Sequence, residues 1–311
     1  MKIRDRELSI PIIQGGMGVG ISLSGLAGAV AACGGMGVIS AAHPGYRDPD
    51  FYRDPLNVNR RCLKEEIAKA KEIAKGCGLV GVNVMVAVQH YADYVRAAIE
   101  GGADAIISGA GLPTELPQIA GDSKVLLAPI VSSGRAARVI CRAWERHGNR
   151  LPDFVVVEGS RAGGHLGFSA EELADGSAKP LDEIVSDVVE TLRPYEEKCG
   201  RKIPVFPAGG VYDGADIARL EKLGAAGAQI ATRFIATEEC DATGLQAGHG
   251  GRKGRGCTDH QEPGGHARTG AVQSADPEGG GTGTDRSQPV PAVSAYLQPR
   301  RHAVLHHPGA H

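Results

Sequence analysis

No run of about 18 consecutive apolar residues occurs in this chain, so a membrane-spanning helix is not expected. A secretory leader is not expected either: residues 1–7 are charged, and the apolar run at 8–16 soon meets glycines. Charge of one sign is not in excess, because 34 lysines and arginines face 36 aspartates and glutamates. That balance gives no electrostatic reason to expect nucleic acid as a partner. The seven cysteines (Cys33, Cys62, Cys77, Cys141, Cys199, Cys240 and Cys257) include no CxxC pair. Their scatter argues against a zinc site and a disulfide framework, and it fits a reducing cytoplasm. Aromatic residues are scarce at 4%, whereas glycine is abundant.

What is present is an alternation. Short apolar runs at 10–14, 37–40, 79–86, 105–108, 125–130, 154–157, 205–207 and 228–231 read as strands. Helical segments fall between them at 22–32, 60–75, 91–100, about 114–119, 135–147, 181–192 and 215–223. In the helix at 60–75, Leu63, Ile67 and Ala74 share one face while lysine and glutamate take the others. Residues 43–59, rich in Pro, Asp and Arg, read as a long polar loop. Strand alternating with helix implies a parallel sheet with right-handed crossovers. Eight such units predict a (β/α)8, or TIM, barrel over residues 1–240. A doubly wound open sheet ranks second. The glycine-rich first turn at 15–20 lacks both the GxGxxG spacing and the acidic residue that such a sheet needs after its second strand.

The chemistry-bearing residues cluster after strands. The stretch 154–167 runs from a β-branched strand into Glu158, four glycines and His165. α/β folds place their chemistry just past strand ends, so His165 is either a functional imidazole or a solvated side chain in a corner-turning loop. Glycine pairs also follow other strands, at Gly15-Gly16, Gly109-Ala110-Gly111, Gly163-Gly164 and Gly209-Gly210. In a barrel all of these lie on one rim. The turns after strands seven and eight, Gly209-Gly210 and Ala231-Thr232, stand where barrels commonly hold a phosphate through backbone N–H groups, and Thr232 adds a hydroxyl. Asn83, near the end of strand three, can donate to and accept from a flat heterocycle at once. Glu158 is either an acceptor for a ligand N–H or hydroxyl or a solvated loop charge.

From about Asp241 the pattern stops. Residues 241–311 contain no Ile, Phe or Met, and they hold most of the histidines. No window there has a period of 3.6 or 2, so the segment cannot bury enough apolar area to offset its ordering entropy. This Gly/His/Pro-rich tail reads as disordered. It is either a natural tail or the product of a reading-frame shift near residue 241, and the abruptness of the change favours the second. On that reading the protein holds its ligand loosely and turns over weakly.

Several motifs together resemble the nitronate monooxygenase family, which is related to FMN-dependent enoyl-acyl-carrier-protein reductases. They are Pro11-Ile12-Ile13-Gln14-Gly15-Gly16-Met17, Val82-Asn83-Val84-Met85, Glu158-Gly159 with Ala162-Gly163-Gly164-His165-Leu166-Gly167, Pro207-Ala208-Gly209-Gly210-Val211, and Gln229-Ile230-Ala231-Thr232-Arg233-Phe234. The resemblance covers residues 8 to about 240. It implies an FMN-binding TIM barrel acting on a small molecule, a nitronate or an enoyl thioester, with a homodimer as the assembly considered. Gln14, Gly15, Gly16 and Met17 would line the flavin ring. Asn83, Glu158 and Gly163 would contact the cofactor, and Gly209, Gly210, Gln229, Ile230, Ala231 and Thr232 would hold its phosphate. His165 matches the family's catalytic histidine, the base in oxidation of an alkyl nitronate. Two departures stand out: Arg161, where the family often has Glu, and Ala231, where Gly is usual. The rival expectations are an NAD(P)H-dependent enoyl-thioester reductase, a flavin-binding barrel with impaired catalysis, and a flavin-free barrel for a sugar phosphate.

Overall fold

Eight short strands lie side by side, all parallel, and close into a barrel. They are β1 (Ile12–Gln14), β2 (Met36–Ser40), β3 (Leu79–Met85), β4 (Ala105–Gly109), β5 (Leu126–Val131), β6 (Val155–Glu158), β7 (Val205–Ala208) and β8 (Ala228–Ile230). The main helices are α1 (Ser24–Ala32), α2 (Pro55–Ala74), α3 (Tyr91–Glu100), α4 (Leu116–Ala120), α5 (Gly134–Gly148), α6 (Leu181–Cys199), α7 (Gly214–Glu221) and α8 (Thr232–Ile235), with a short extra helix, Ala170–Ala174, ahead of α6. The (β/α)8 expectation is therefore met. The computed structural model describes residues 1–242 and two short strands, Asp259–Gln261 and Ala267–Thr269. The expectation that the tail lacks a packed core otherwise lies outside the described residues.

The period of two along each strand builds two apolar layers. Ile13, Met36, Val38, Leu79, Ile107, Leu126, Phe154, Val156 and Phe206 fill the barrel interior. Phe154 and Phe206 meet there edge to face, with centroids 5.6 Å apart. The alternate residues Val80, Val82, Val84, Ile106, Leu127, Val155 and Val157 pack outward against the helices. Gly37 lets α1 press onto β2, since a Cβ there would overlap the Ala27 carbonyl.

The end of the barrel where the strands begin is closed by structure alone. A hairpin of Lys2–Ile3 and Arg6–Glu7 inserts Ile3 and Leu8 into the interior cluster. Asp104 accepts from Val80 N at 3.0 Å and pairs with Arg6 and Lys71 at 2.9 and 3.0 Å. Asp153 accepts from Leu127 N at 2.9 Å and pairs with Arg150 and Arg201 at 2.9 and 3.2 Å. Carboxylates buried in this way require such partners.

Several boundaries differ from the sequence reading. Helix α2 begins at Pro55 rather than near residue 60: the Asp54 carboxylate caps Asn57 N, and Pro55 occupies the first turn, where its missing N–H costs nothing. Helix α6 runs on to Cys199, carrying Pro194 inside it. The N-terminal hairpin was not anticipated, because two-residue strands have no measurable period. The ordered barrel also reaches past residue 240. The Asp241 carboxylate accepts from Leu23 N at 2.7 Å, Gly25 N at 3.0 Å and Leu26 N at 3.2 Å, and so caps α1, which has no cap of its own.

Candidate active site at the C-terminal end of the barrel

The top layer of the interior is polar where the layers below are apolar. Glu158 ends β6, and its register partner Ala208 is in turn the partner of Gln229 on β8. All three therefore stand at one level. Across the barrel Asn83 lies on β3 opposite Ser40 of β2. Gly15 and Gly16 come off β1 between these groups: Cβ atoms there would lie 3.4 Å from Gln229 Nε2 and 2.6 Å from Asn83 Cβ. Glycine is what lets the main chain approach both side chains so closely. The structure thus brings Gly15, Gly16, Asn83, Glu158 and Gln229 to one end of the barrel.

Burial pushes the Glu158 carboxyl up to about 7 from a usual value of 4.5, and no charge or hydrogen bond offsets it. Near neutral pH this group therefore interconverts between a hydrogen-bond donor and an acceptor. Groups of this kind, desolvated in a cleft, mark functional sites more often than structural ones.

The segment after β6 is fixed against the turn after β7. Gly159 N donates to Ala208 O at 3.0 Å, and Ala162 N to Gly159 O at 3.0 Å. Gly209 has φ +90°, and a Cβ on it would collide with the Ala162 backbone nitrogen. Gly210 has φ +79°, and a Cβ there would stand 3.1 Å from Arg161 Cδ. Both positions favour glycine for backbone angle, and Gly209 needs it for space as well. Farther along, Leu166 is buried, and Ser132 Oγ donates to Gly167 O at 3.3 Å. His165 lies between these anchors, half-buried. With Gly164 it forms a short strand that pairs antiparallel with Ala267–Thr269, which pairs in turn with Asp259–Gln261. Segments from the tail therefore border the His165 loop.

The remaining sequence-predicted residues sit differently. Gln14 is fully buried, and its amide is occupied: Oε1 accepts from Val38 N at 3.0 Å, and Nε2 donates to Val38 O at 3.2 Å. It replaces ladder bonds between β1 and β2, whose only register pair is Ile13 with Met36. Met17 and Ile230 pack toward Leu26, Val30 and Phe234, on the helix side of the sheet. Their main chains still border the site, and Gly15 N donates to Ile230 O at 2.9 Å. Gly163 and Thr232 are exposed, and Ala231 is half-buried ahead of α8. Arg161 and Arg233 flank the turn at 209–212, a placement that spacing alone does not reveal. Arg233 Nη1 donates to Tyr212 O at 2.7 Å, with its guanidinium 4.5 Å from the Tyr212 ring centroid.

This architecture defines a class: a parallel (β/α)8 barrel with a polar ligand site on the rim where the strands end. The nitronate monooxygenase family model matches residues 2–249, and the chain belongs to that family. A probable nitronate monooxygenase of Bacillus subtilis is 27% identical over 255 residues, covering 76% of this chain and 68% of that protein. The (3aS,4S,5R,7aS)-5-hydroxy-7a-methyl-1-oxo-octahydro-1H-indene-4-carboxyl-CoA dehydrogenase of Mycobacterium tuberculosis is 25% identical over 229 residues, covering 74% of this chain and 53% of that one. The chain thus spans about half the length of that curated relative. Among solved structures, FabK from Thermotoga maritima superposes with a TM-score of 0.54 at 27% identity, covering 75% of this chain and 62% of that one.

Proposed function

We propose that this chain is a flavin oxidoreductase that binds FMN at the C-terminal end of the barrel and oxidises alkyl nitronates. The observation that carries the reading is the ring of Asn83, Glu158 and Gln229, polar side chains at the mouth of an apolar barrel. Glu158 in particular is largely desolvated, with no hydrogen-bond or ion-pair partner for its carboxyl among the described residues. A ligand rich in ring N–H, carbonyl and hydroxyl groups fits that chemistry.

Bound there, FMN would supply the two-electron redox chemistry that no side chain offers. The chain's own part is to hold and orient. Asn83 and Gln229 offer carboxamides that donate and accept. Glu158 donates below about pH 7 and accepts above it. The main chain at Gly15 and Gly16 forms a flat wall next to them. The positive-φ turn at Gly209 and Gly210 would offer backbone N–H groups to a phosphate, and Ala231 and Thr232 would add to it from the turn after the neighbouring strand β8. Gly163 keeps the next segment free of bulk. His165 takes the proton from the carbon of a neutral nitroalkane, or hydrogen-bonds a nitronate that arrives already ionised. Imidazole is the side chain most often used as a general base.

A second reading is NAD(P)H-dependent reduction of an enoyl thioester by the bound flavin. It draws support from the CoA dehydrogenase match over 74% of this chain, a span equalled by the Bacillus subtilis nitronate monooxygenase match at 76%. Anaerobic mixing of the FMN-loaded chain with ethyl nitronate, and separately with NAD(P)H, tests the choice. Bleaching of the flavin by the nitronate supports the first reading. Bleaching by the nicotinamide nucleotide alone replaces it with the second.

A further inference from the structure

Resting on the flavin reading, we propose that Arg161 supplies a guanidinium to the phosphate end of bound FMN, so that this chain grips the phosphate with a side-chain cation as well as with backbone N–H groups. Three observations carry the proposal. First, Arg161 is exposed and makes no ion pair and no hydrogen bond among the described residues. Second, its aliphatic stem lies along the phosphate-type turn, with Cδ 3.1 Å from the Cβ position of Gly210. The stem cannot drift far, because the neighbouring Ala162 is wedged against Gly209. Third, Ser160 and Arg161 line an open cavity of about 230 Å³ together with Glu172, Leu173, Gly176 and Ala178. The guanidinium therefore has room to change its rotamer.

The carboxylates near this corner are already engaged. Glu172 accepts from Ser169 N at 2.7 Å, which closes the cap of the short helix Ala170–Ala174. Asp213 accepts from Ala215 N at 2.9 Å, and Asp216 accepts from Tyr212 N at 2.9 Å and pairs with Arg219 at 3.5 Å. Each is held by groups other than Arg161, and none forms an ion pair with it among the described residues. On the other side of the turn Arg233 adds a second positive charge. A phosphate dianion seated at Gly209 and Gly210 meets this field directly, and a planar guanidinium binds phosphate with two parallel N–H bonds.

The test compares two flavins that differ only in the phosphate. FMN and riboflavin are titrated into the flavin-free full chain by fluorescence quenching, for the wild type, Arg161→Gln and Arg161→Lys. A charge-assisted bond at an exposed site is worth about tenfold in affinity. Arg161→Gln is therefore expected to raise the Kd for FMN about tenfold and leave that for riboflavin unchanged. Arg161→Lys should recover only the part of the loss that is due to charge, because an ammonium lacks the bidentate fork, and the salt dependence of FMN binding should flatten in Arg161→Gln. An unchanged FMN affinity in Arg161→Gln overturns the proposal while leaving the flavin reading intact. Equal weakening of FMN and riboflavin overturns it too, because that is the signature of a collapsed loop. A wild-type chain that binds neither flavin overturns the flavin reading and this proposal with it.

Discussion

Replacing Glu158 with Gln should stabilise the flavin-free protein at alkaline pH and do little in acid. The native carboxyl titrates near 7 and the unfolded one near 4.5, because folding strips it of water. Between those values the native state holds the proton more tightly than the unfolded state. Stability therefore falls as pH rises through this window, and the cost is complete above about 7. The gap between the two values, at about 1.4 kcal/mol per pH unit, is worth about 3 kcal/mol. Glutamine has the same shape and no charge, so Glu158→Gln escapes that cost. Urea unfolding at pH 4.5 should give nearly equal midpoints for the two proteins. At pH 8 the variant's midpoint should be higher by about 1 M, taking a urea m-value of about 3 kcal/mol/M. A stability difference of the same size at both pH values would refute the reasoning. A less stable variant at pH 8 would show instead that the carboxylate is satisfied by a partner.

Four further outcomes are expected. Gly210→Asp sets a carboxylate in the phosphate turn at φ +79°, and it should abolish FMN binding while far-UV circular dichroism shows a folded barrel. His165→Ala should keep flavin and slow turnover of neutral nitroalkane by about 10²–10⁴-fold. The same variant should slow turnover of the pre-ionised nitronate much less, and equal, small effects on both would make His165 structural. Gln14→Leu leaves Val38 N and O without partners between β1 and β2, and it should cost about 2–5 kcal/mol in chemical denaturation. Asp241→Ala removes the cap on three N–H groups at the start of α1, leaving Ser24 N held by Glu66, and should lower stability by about 1–2 kcal/mol, with faster amide exchange confined to the first turn of that helix.

The barrel is legible in the sequence because the strands are short apolar runs, mostly bounded by glycine or proline, and the longer helices between them show a one-sided apolar face. The rim is legible for the same reason: glycine pairs directly after strands mark where the main chain turns under crowding. What escapes is whatever depends on a partner far along the chain. Asp241 is an unremarkable aspartate until α1, 218 residues earlier, is folded beside it. Gln14 sits at the end of an apolar strand with a motif around it, and nothing local shows that its amide replaces backbone bonds to Val38. Met17 and Ile230 belong to recognisable motifs, yet their side chains face the helix layer, a choice set by how β1 and β8 close the barrel. The start of α2 was readable, since Asp54-Pro55 is a helix-start signal, but it lies inside a stretch whose composition says loop.

Titration of FMN into the purified flavin-free chain, followed by visible absorbance, tests the central claim most directly. The account predicts saturation near one equivalent, a shifted flavin band, and loss of that binding in Gly210→Asp. A wild-type spectrum identical to free FMN at every ratio would contradict it, and the polar ring of Asn83, Glu158 and Gln229 would then need another ligand.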